Sequence, residues 1–145
     1  MRDPYLYDDA DVLKNRANIK DRDLLSKAEA DITNLAMCAV YEKEYEKFNT
    51  ETLCDIHRNI FGQIYEWAGE FRTIQMVKYE EVLGGDTVSY AYPKDIKKEL
   101  TATMKEINKL KRNGDNDHDI VFRLVRIIAA LWHTHPFREG NTRTV

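Results

Sequence analysis

The residues best suited to chemistry lie close together near the end of the chain, in the segment His135-Pro136-Phe137-Arg138-Glu139-Gly140-Asn141-Thr142-Arg143, called here the motif segment. His135 is a candidate base, because an imidazole can accept a proton near neutral pH. Glu139 offers a hard carboxylate ligand of the kind that Mg²⁺ binds alongside substrate phosphates. Gly140 and Asn141 tolerate the backbone angles of a turn, and Arg143 can pair with a phosphate. A base, a metal ligand and an anion site together indicate phosphate chemistry.

Two predicted helices would position these groups. An apolar run from Ile120 to Trp132 predicts a helix, and Pro136 should end it, because proline has no N–H and disfavours helical geometry in the residue before it. A second helix is predicted to start near Asn141. Its free N–H groups would point into the turn, where they could bind an anion.

The rest of the chain predicts an all-α domain with one inserted β-hairpin. The helices are expected from a cap at Asp21 or Asp23 to about Glu46, from Thr50 to a stop near Gly69, from Pro93 to about Arg112, and over about 117–134. The last is apolar almost all round, so it is expected to be central. Strands at 72–77 and 87–92, with Gly84-Gly85-Asp86 between them, predict the hairpin. A length of 145 residues fits a single domain spanning 1–145.

Composition excludes several function classes. The net charge of −3 lacks the basic excess of a nucleic-acid-binding protein, so no nucleic acid is expected as a partner. No apolar run approaches the ~20 residues that span a bilayer, and the start lacks the apolar core of a signal peptide, so no membrane is expected either. Cys38 and Cys54 are interpreted as reduced thiols, with one bridge left open. The expected location is the cytoplasm, with export to a host cell by a signal-less route as an alternative.

The motif segment resembles the signature of the Fic family, H-x-F-x-[D/E]-G-N-G-R-x-x-R. Earlier segments are similar to that family as well, so the resemblance covers nearly the whole chain: Asp11-Val12-Leu13-Lys14-Asn15, Ile56-His57-Arg58, and Tyr65-Glu66-Trp67-Ala68-Gly69-Glu70-Phe71-Arg72.

The resemblance implies a Fic-like helical bundle that transfers AMP from ATP to a Tyr, Thr or Ser hydroxyl of a target protein. His135 would be the catalytic base, and Glu139 would bind Mg²⁺. The hairpin would be a flap over 72–92 that covers the nucleotide and docks the target. The implied nucleotide-binding residues are Lys78, Gly140, Asn141, Thr142 and Arg143.

Two departures from the signature keep alternatives open. Thr142 stands where the family most often has glycine, close to the nucleotide phosphates. In the Doc branch of the family a lysine at that position accompanies transfer of the γ-phosphate, so a Doc-like protein kinase is an alternative function. The chain also stops at Val145, one residue before the signature's final arginine, and we expect that it is truncated there.

A third function class is a catalytically silent module, or a toxin held by an antitoxin. The inhibitory pattern that the family implies, [S/T]-x-x-x-E-[G/N], does not occur in 1–145. Inhibition is therefore expected from a helix beyond Val145 or from a partner chain. The spacing of His133 and His135 could also suit a metal, but no cysteine or third histidine is placed to complete such a site. His57 and His118 are interpreted as structural or surface residues, and Trp67 and Trp132 as core anchors.

Overall fold

The computed structural model describes residues 2–79, 87–110 and 117–145. The expected class, all-α with an inserted hairpin, is confirmed. The elements in chain order are α1 (Arg22–Tyr41), α2 (Thr50–Phe61), β1 (Val77–Tyr79), β2 (Thr87–Ser89), α3 (Ile96–Leu110), α4 (Asp117–Thr134) and α5 (Asn141–Thr144). Contacts divide the chain into two compact units. The first comprises Met1–Glu46, Glu51–Glu70 and Thr144, and the second comprises Lys47–Thr50, Phe71–Arg143 and Val145.

In the first unit, α1 begins at a side-chain cap. The Asp21 carboxylate accepts a hydrogen bond from the Leu24 N–H at 2.8 Å, which satisfies one of the donors left free at a helix start. The helix ends at Tyr41 rather than near Glu46. The residues that follow, Glu-Lys-Glu-Tyr-Glu, carry no apolar stripe that continued helix could bury, and the Lys43 N–H closes the end on the Val40 carbonyl.

The core of the first unit contains a set of aromatic rings around the end of α2. His57 is fully buried and stacks on Phe61, with ring centroids 4.7 Å apart. Its Nδ1 accepts the Gly69 N–H at 2.8 Å. Gly69 has a φ of +82°, which glycine adopts without steric cost. His57 is therefore a structural residue, as predicted, but α2 ends at Phe61 and Gly69 closes the turn that follows instead of the helix itself.

Both cysteines are free thiols, and they differ in exposure. Cys38 on α1 is exposed, whereas Cys54 on α2 is partly buried. Burial raises the pKa of the Cys54 thiol, and the nearby Arg58 only partly offsets this.

Iodoacetamide at neutral pH should therefore alkylate Cys38 well before Cys54, because the thiolate is the reacting form and burial disfavours it at Cys54. The rate at Cys54 should increase as the pH is raised above the ordinary thiol pKa of about 8.5. Peptide mass spectrometry of time points would measure both sites. Faster modification of Cys54 at neutral pH would contradict this assignment.

In the second unit, β1 and β2 form an antiparallel hairpin in which Val77 pairs with Ser89, Lys78 with Val88 and Tyr79 with Thr87. The predicted strand 72–77 was placed too early, since β1 begins at Val77; the predicted strand 87–92 begins at the right residue but is too long, since β2 ends at Ser89. The N–H of Arg72 donates to the Pro136 carbonyl, and the N–H of Ala91 donates to the His133 carbonyl. The backbone N–H groups of Arg72 and Ala91 therefore do not take part in the hydrogen bonds between the two strands. The predicted loop at Gly84-Gly85-Asp86 lies outside the described residues.

The second unit also contains α3 packed against α4. α3 begins at Ile96 rather than at the predicted Pro93, and it buries Ile96, Leu100 and Met104. α4 has the predicted bounds and buries Ile127 and Leu131, but its predicted central position is wrong, because packing mainly against one helix covers a single stripe. Trp132 is 54% exposed, so it is not the core anchor expected. The large apolar side chains that α4 exposes are Val121, Phe122, Leu124, Val125, Ile128 and Trp132.

Helix length and polarity decide whether a helix could span a membrane. In the part of the chain that the structure describes, every helix is too short or too polar to cross a bilayer.

Candidate functional site

His135 lies immediately after α4 in a constrained backbone conformation. Its N–H still donates to the Leu131 carbonyl at 3.1 Å, so the histidine continues from the last helical turn. Its φ is +45°, a left-handed value that costs a residue with a side chain about 1–3 kcal/mol. Pro136 then ends the helix, as predicted. The strained angle turns the chain out of the helix axis and fixes the start of the motif segment.

The middle of the motif segment closes on itself. Phe137 is fully buried and packs on Phe71, with ring centroids 6.1 Å apart. Asn141 is 3% exposed; its side-chain oxygen accepts the Phe137 N–H at 2.8 Å, and its amide nitrogen donates to the Phe137 carbonyl at 2.8 Å. Buried polar groups of this kind are costly unless they are paired. Asn141 therefore fixes the shape of the segment.

The charged groups of the motif segment lie on either side of Gly140. This glycine has a φ of +79°, and α5 begins directly after it, at the predicted residue Asn141. The Glu139 carboxylate accepts the Gly140 N–H at 2.9 Å and lies 3.8 Å from the Arg143 guanidinium. Both side chains are only partly exposed, and Thr142 is exposed. The segment thus presents a carboxylate and a guanidinium around one turn.

A divalent cation at Glu139 would need further ligands from substrate and water. Within residues 2–79, 87–110 and 117–145, no group of three or more His, Cys, Asp and Glu side chains is placed to hold a metal. Glu139 nevertheless offers a partly exposed, hard oxygen ligand beside the turn. Mg²⁺ commonly binds through one or two carboxylates, with substrate phosphates and water completing its shell. The donor set therefore fits a cation that arrives with a phosphorylated substrate.

Six of the predicted site residues lie in the motif segment, where the structure places the Glu139 carboxylate 3.8 Å from the Arg143 guanidinium. The six are His135, Glu139, Gly140, Asn141, Thr142 and Arg143. Lys78 is the remaining predicted residue. Its backbone lies in β1 opposite Val88, and the predicted role of its side chain lies outside what the structure describes.

Two residues that sequence reasoning did not single out contact the candidate base. The Tyr90 ring stacks on the His135 ring, with centroids 3.9 Å apart and planes inclined by 13°. Arg72 is only 2% exposed, and its guanidinium donates to the carbonyls of His135 and Thr134. Arg72 lies within the segment that carried the family resemblance, but the sequence does not reveal that this cation is buried.

Comparison with known proteins assigns this sequence to a family. The family model described as Fic/DOC matches residues 47–145, which is more than half of the chain. The chain belongs to the Fic/DOC family. The motif segment is included in the matched range.

Curated relatives of similar sequence include three from bacteria. The chain is 29% identical over 144 residues to the protein adenylyltransferase VbhT of Bartonella schoenbuchensis, covering 99% of this chain and 29% of VbhT. It is 30% identical over 143 residues to the probable protein adenylyltransferase Fic of Escherichia coli, covering 97% and 66%. It is 30% identical to the probable protein adenylyltransferase y4lH of Sinorhizobium fredii, covering 99% and 71%. The chain thus spans less than two thirds of the first two relatives.

Solved structures share the fold. The BepC effector protein of Bartonella tribocorum, crystallised with bound AMPPNP, superposes with a TM-score of 0.81 at 27% identity, covering 97% of this chain and 71% of BepC. An N-terminal Fic domain from Bartonella quintana with bound ADP gives the same TM-score and identity, with 97% and 71% covered.

Proposed function

We propose that this chain is the catalytic part of a protein adenylyltransferase, which transfers AMP from ATP to a Tyr, Thr or Ser hydroxyl of a target protein. The observation that carries the proposal is the motif segment, which begins with a histidine and in which a carboxylate and a guanidinium lie close together beside a turn closed by Asn141. The names of the curated relatives support the same activity. The nucleotide complexes of the two Bartonella structures support ATP as the donor.

In the proposed reaction His135 accepts the proton of the target hydroxyl. The hydroxyl oxygen then attacks the α-phosphorus of ATP, and a new oxygen–phosphorus bond forms. The bond between the α-phosphorus and the bridging oxygen of the β-phosphate breaks, and pyrophosphate leaves. Arg143 stabilises the negative charge that develops on the phosphate oxygens. Glu139 would hold Mg²⁺, which neutralises phosphate charge when bound.

The remaining site residues act by contact with the nucleotide or by shaping the segment around it. Gly140 and Thr142 are proposed to lie against the phosphates, and Lys78 to reach the nucleotide or the target from the flap. Asn141 contributes by closing the segment, because its side chain is engaged with the Phe137 backbone. A left-handed glycine at 140 allows the backbone to turn close to a ligand.

The flap is proposed as the target-docking element. An exposed hairpin edge can pair with an extended segment of another protein through main-chain hydrogen bonds, which positions a hydroxyl without demanding much sequence. An antitoxin, or an inhibitory helix beyond Val145, is proposed to regulate the site. The enzyme is proposed to work in the cytoplasm or, after export, in a host cell; several structural relatives are described as VirB-translocated effectors.

ATP carrying an alkyne on N6 of the adenine tests this proposal. The purified protein is incubated with Mg²⁺, a cell lysate as the source of targets and this analogue, and labelled proteins are detected by coupling a fluorophore to the alkyne. We expect labelled protein bands, because AMP transfer leaves the adenine on the target. Phosphorylation of targets without any alkyne label would contradict the proposal.

A Doc-like kinase is the second candidate, and it stays open because Thr142 departs from the glycine that the family most often has at this position. In the Doc branch of the family, a lysine in place of the glycine at this position accompanies a reversed nucleotide and transfer of the γ-phosphate. Thr142 is smaller than lysine and carries no charge, and it is exposed at the second position of α5. The smaller, uncharged side chain favours AMP transfer over the Doc-like reaction. Its atoms are proposed to crowd the nucleotide phosphates in part.

Replacing Thr142 with glycine should therefore lower the KM for ATP. Removing the side chain relieves crowding near the phosphates, and a gain of about 1 kcal/mol corresponds to roughly a fivefold lower KM. Thr142→Ser keeps a Cβ and a hydroxyl, so its KM should stay near that of the parent. Steady-state kinetics against ATP would measure both variants. An equal or higher KM for Thr142→Gly would show that Thr142 does not crowd the nucleotide.

A further inference from the structure

The candidate base is held between two parts of the second unit that are distant in sequence. His135 follows α4, whereas Arg72 and Tyr90 flank the hairpin strands β1 and β2 on either side. Both residues contact His135 in the structure. Neither belongs to the motif segment, and neither has a role in the reaction proposed above.

Arg72 fixes the backbone around His135. Its Nε donates to the His135 carbonyl at 2.7 Å, and one terminal nitrogen donates to the Thr134 carbonyl at 3.3 Å. The Arg72 N–H donates to the Pro136 carbonyl at 2.9 Å. Three consecutive carbonyls, on both sides of the strained φ of His135, therefore accept from one residue. A left-handed residue with a side chain persists only where its surroundings over-determine its conformation.

The same guanidinium also binds backbone on both sides of the hairpin, before β1 and after β2. Its other terminal nitrogen donates to the Ile74 carbonyl at 2.6 Å, and the nitrogen that reaches Thr134 also donates to the Ala91 carbonyl. The planar fork of an arginine can serve several acceptors at fixed angles, which a lysine ammonium cannot reproduce. Arg72 thus links the residues that flank the hairpin to the backbone of His135, the proposed proton acceptor.

Tyr90 fixes the ring of His135. The two rings lie nearly parallel at 3.9 Å, and Tyr90 is 9% exposed. Gln75 donates to the Tyr90 carbonyl at 2.8 Å, which holds the tyrosine at the end of β2. A ring stacked on one face of an imidazole restricts rotation about its side-chain bonds, so the nitrogen that accepts a proton keeps one direction. The histidine is therefore constrained in both backbone and side chain.

We infer that Arg72 and Tyr90 are positioning residues for the base His135, and that through them the hairpin sets the direction of the imidazole. The inference rests on the proposed role of His135. Neither residue needs to touch the nucleotide or the target for this role. A misplacement of a reacting group by about 1 Å can lower a rate on the order of a hundredfold.

Tyr90→Leu tests the side-chain part of the inference, with Tyr90→Phe as the variant that keeps a ring. We expect Tyr90→Leu to lower kcat for AMP transfer roughly tenfold to a hundredfold with little change in the KM for ATP, and Tyr90→Phe to restore most of the loss. Tyr41→Leu, at a tyrosine that is 92% exposed on α1, should leave the rate unchanged. In a His135→Ala background, Tyr90→Leu should have no further effect on the residual rate, because Tyr90 acts through the histidine.

Proton NMR of the His135 ring tests the geometry independently of activity. The ring current of Tyr90 should hold the His135 carbon-bound protons upfield; Tyr90→Leu should move them downfield, and Tyr90→Phe should not. Arg72→Lys should likewise shift these protons and lower kcat. Wild-type kcat and wild-type His135 shifts in Tyr90→Leu would overturn the inference. If His135→Ala itself keeps full activity, the proposed function fails, while the NMR comparison still decides whether Tyr90 orients the ring.

Discussion

Replacing His135 with alanine is expected to reduce AMP transfer by about 10²- to 10⁴-fold, the range that a positioned general base contributes. The alanine cannot accept the proton of the target hydroxyl, so the attacking oxygen remains protonated. Binding of ATP should be retained, because the phosphate contacts are proposed for Gly140, Thr142 and Arg143. Transfer is measured by label incorporation into the target, and binding by calorimetry with a non-hydrolysable ATP analogue.

His133 provides the matched control for this variant. It is an exposed histidine two residues earlier, in the last turn of α4. His133→Ala removes the same side chain without touching the proposed chemistry, so its rate should equal that of the parent. Unchanged transfer by His135→Ala, or an equal loss in both variants, would remove His135 as the base.

Replacing Phe137 with alanine is expected to lower the free energy of unfolding by about 3–5 kcal/mol, the usual cost of emptying a fully buried phenylalanine site. Phe137 is 0% exposed, and its backbone is the part of the chain to which Asn141 bonds. Loss of the ring should therefore loosen the whole motif segment and reduce transfer as well. Urea unfolding followed by circular dichroism measures the stability change.

The control for Phe137 is an aromatic truncation on the surface. Tyr41 is 92% exposed, and Tyr41→Ala should change the free energy of unfolding by less than about 0.5 kcal/mol. Equal midpoints for Phe137→Ala and the parent protein would contradict the view that Phe137 anchors the motif segment.

Periodicity and local chemistry were sufficient to predict much of the fold. The apolar pattern of α4 predicted its bounds, and the turn residues predicted a helix start near Asn141, where α5 begins. The cap of α1 was predicted at Asp21 or Asp23, and the structure selects Asp21. The strand bounds were only partly predicted. Their error arose from tertiary hydrogen bonds, since Arg72 and Ala91 donate to carbonyls near His135, and no local pattern encodes such partners.

Some contacts in the site could not be predicted from the local sequence either. The approach of Glu139 to Arg143 follows from their spacing of four residues across the start of α5. The stacking of Tyr90 on His135 joins residues far apart in sequence, and it depends on how the hairpin returns to the end of α4. The exposure of Trp132 was missed for a related reason, because hydrophobicity reveals that a residue favours burial but not which neighbours are present to cover it.

The central claim, that AMP is the transferred group, is tested most directly by following each phosphate of ATP separately. The purified protein is incubated with Mg²⁺ and its target, with ATP labelled at either the α- or the γ-phosphate. AMP transfer predicts label on the target from α-labelled ATP and none from γ-labelled ATP, because pyrophosphate carries the γ-phosphate away. Target label from the γ-phosphate alone would contradict the account in favour of a Doc-like kinase, and the absence of both labels would contradict it in favour of a silent module.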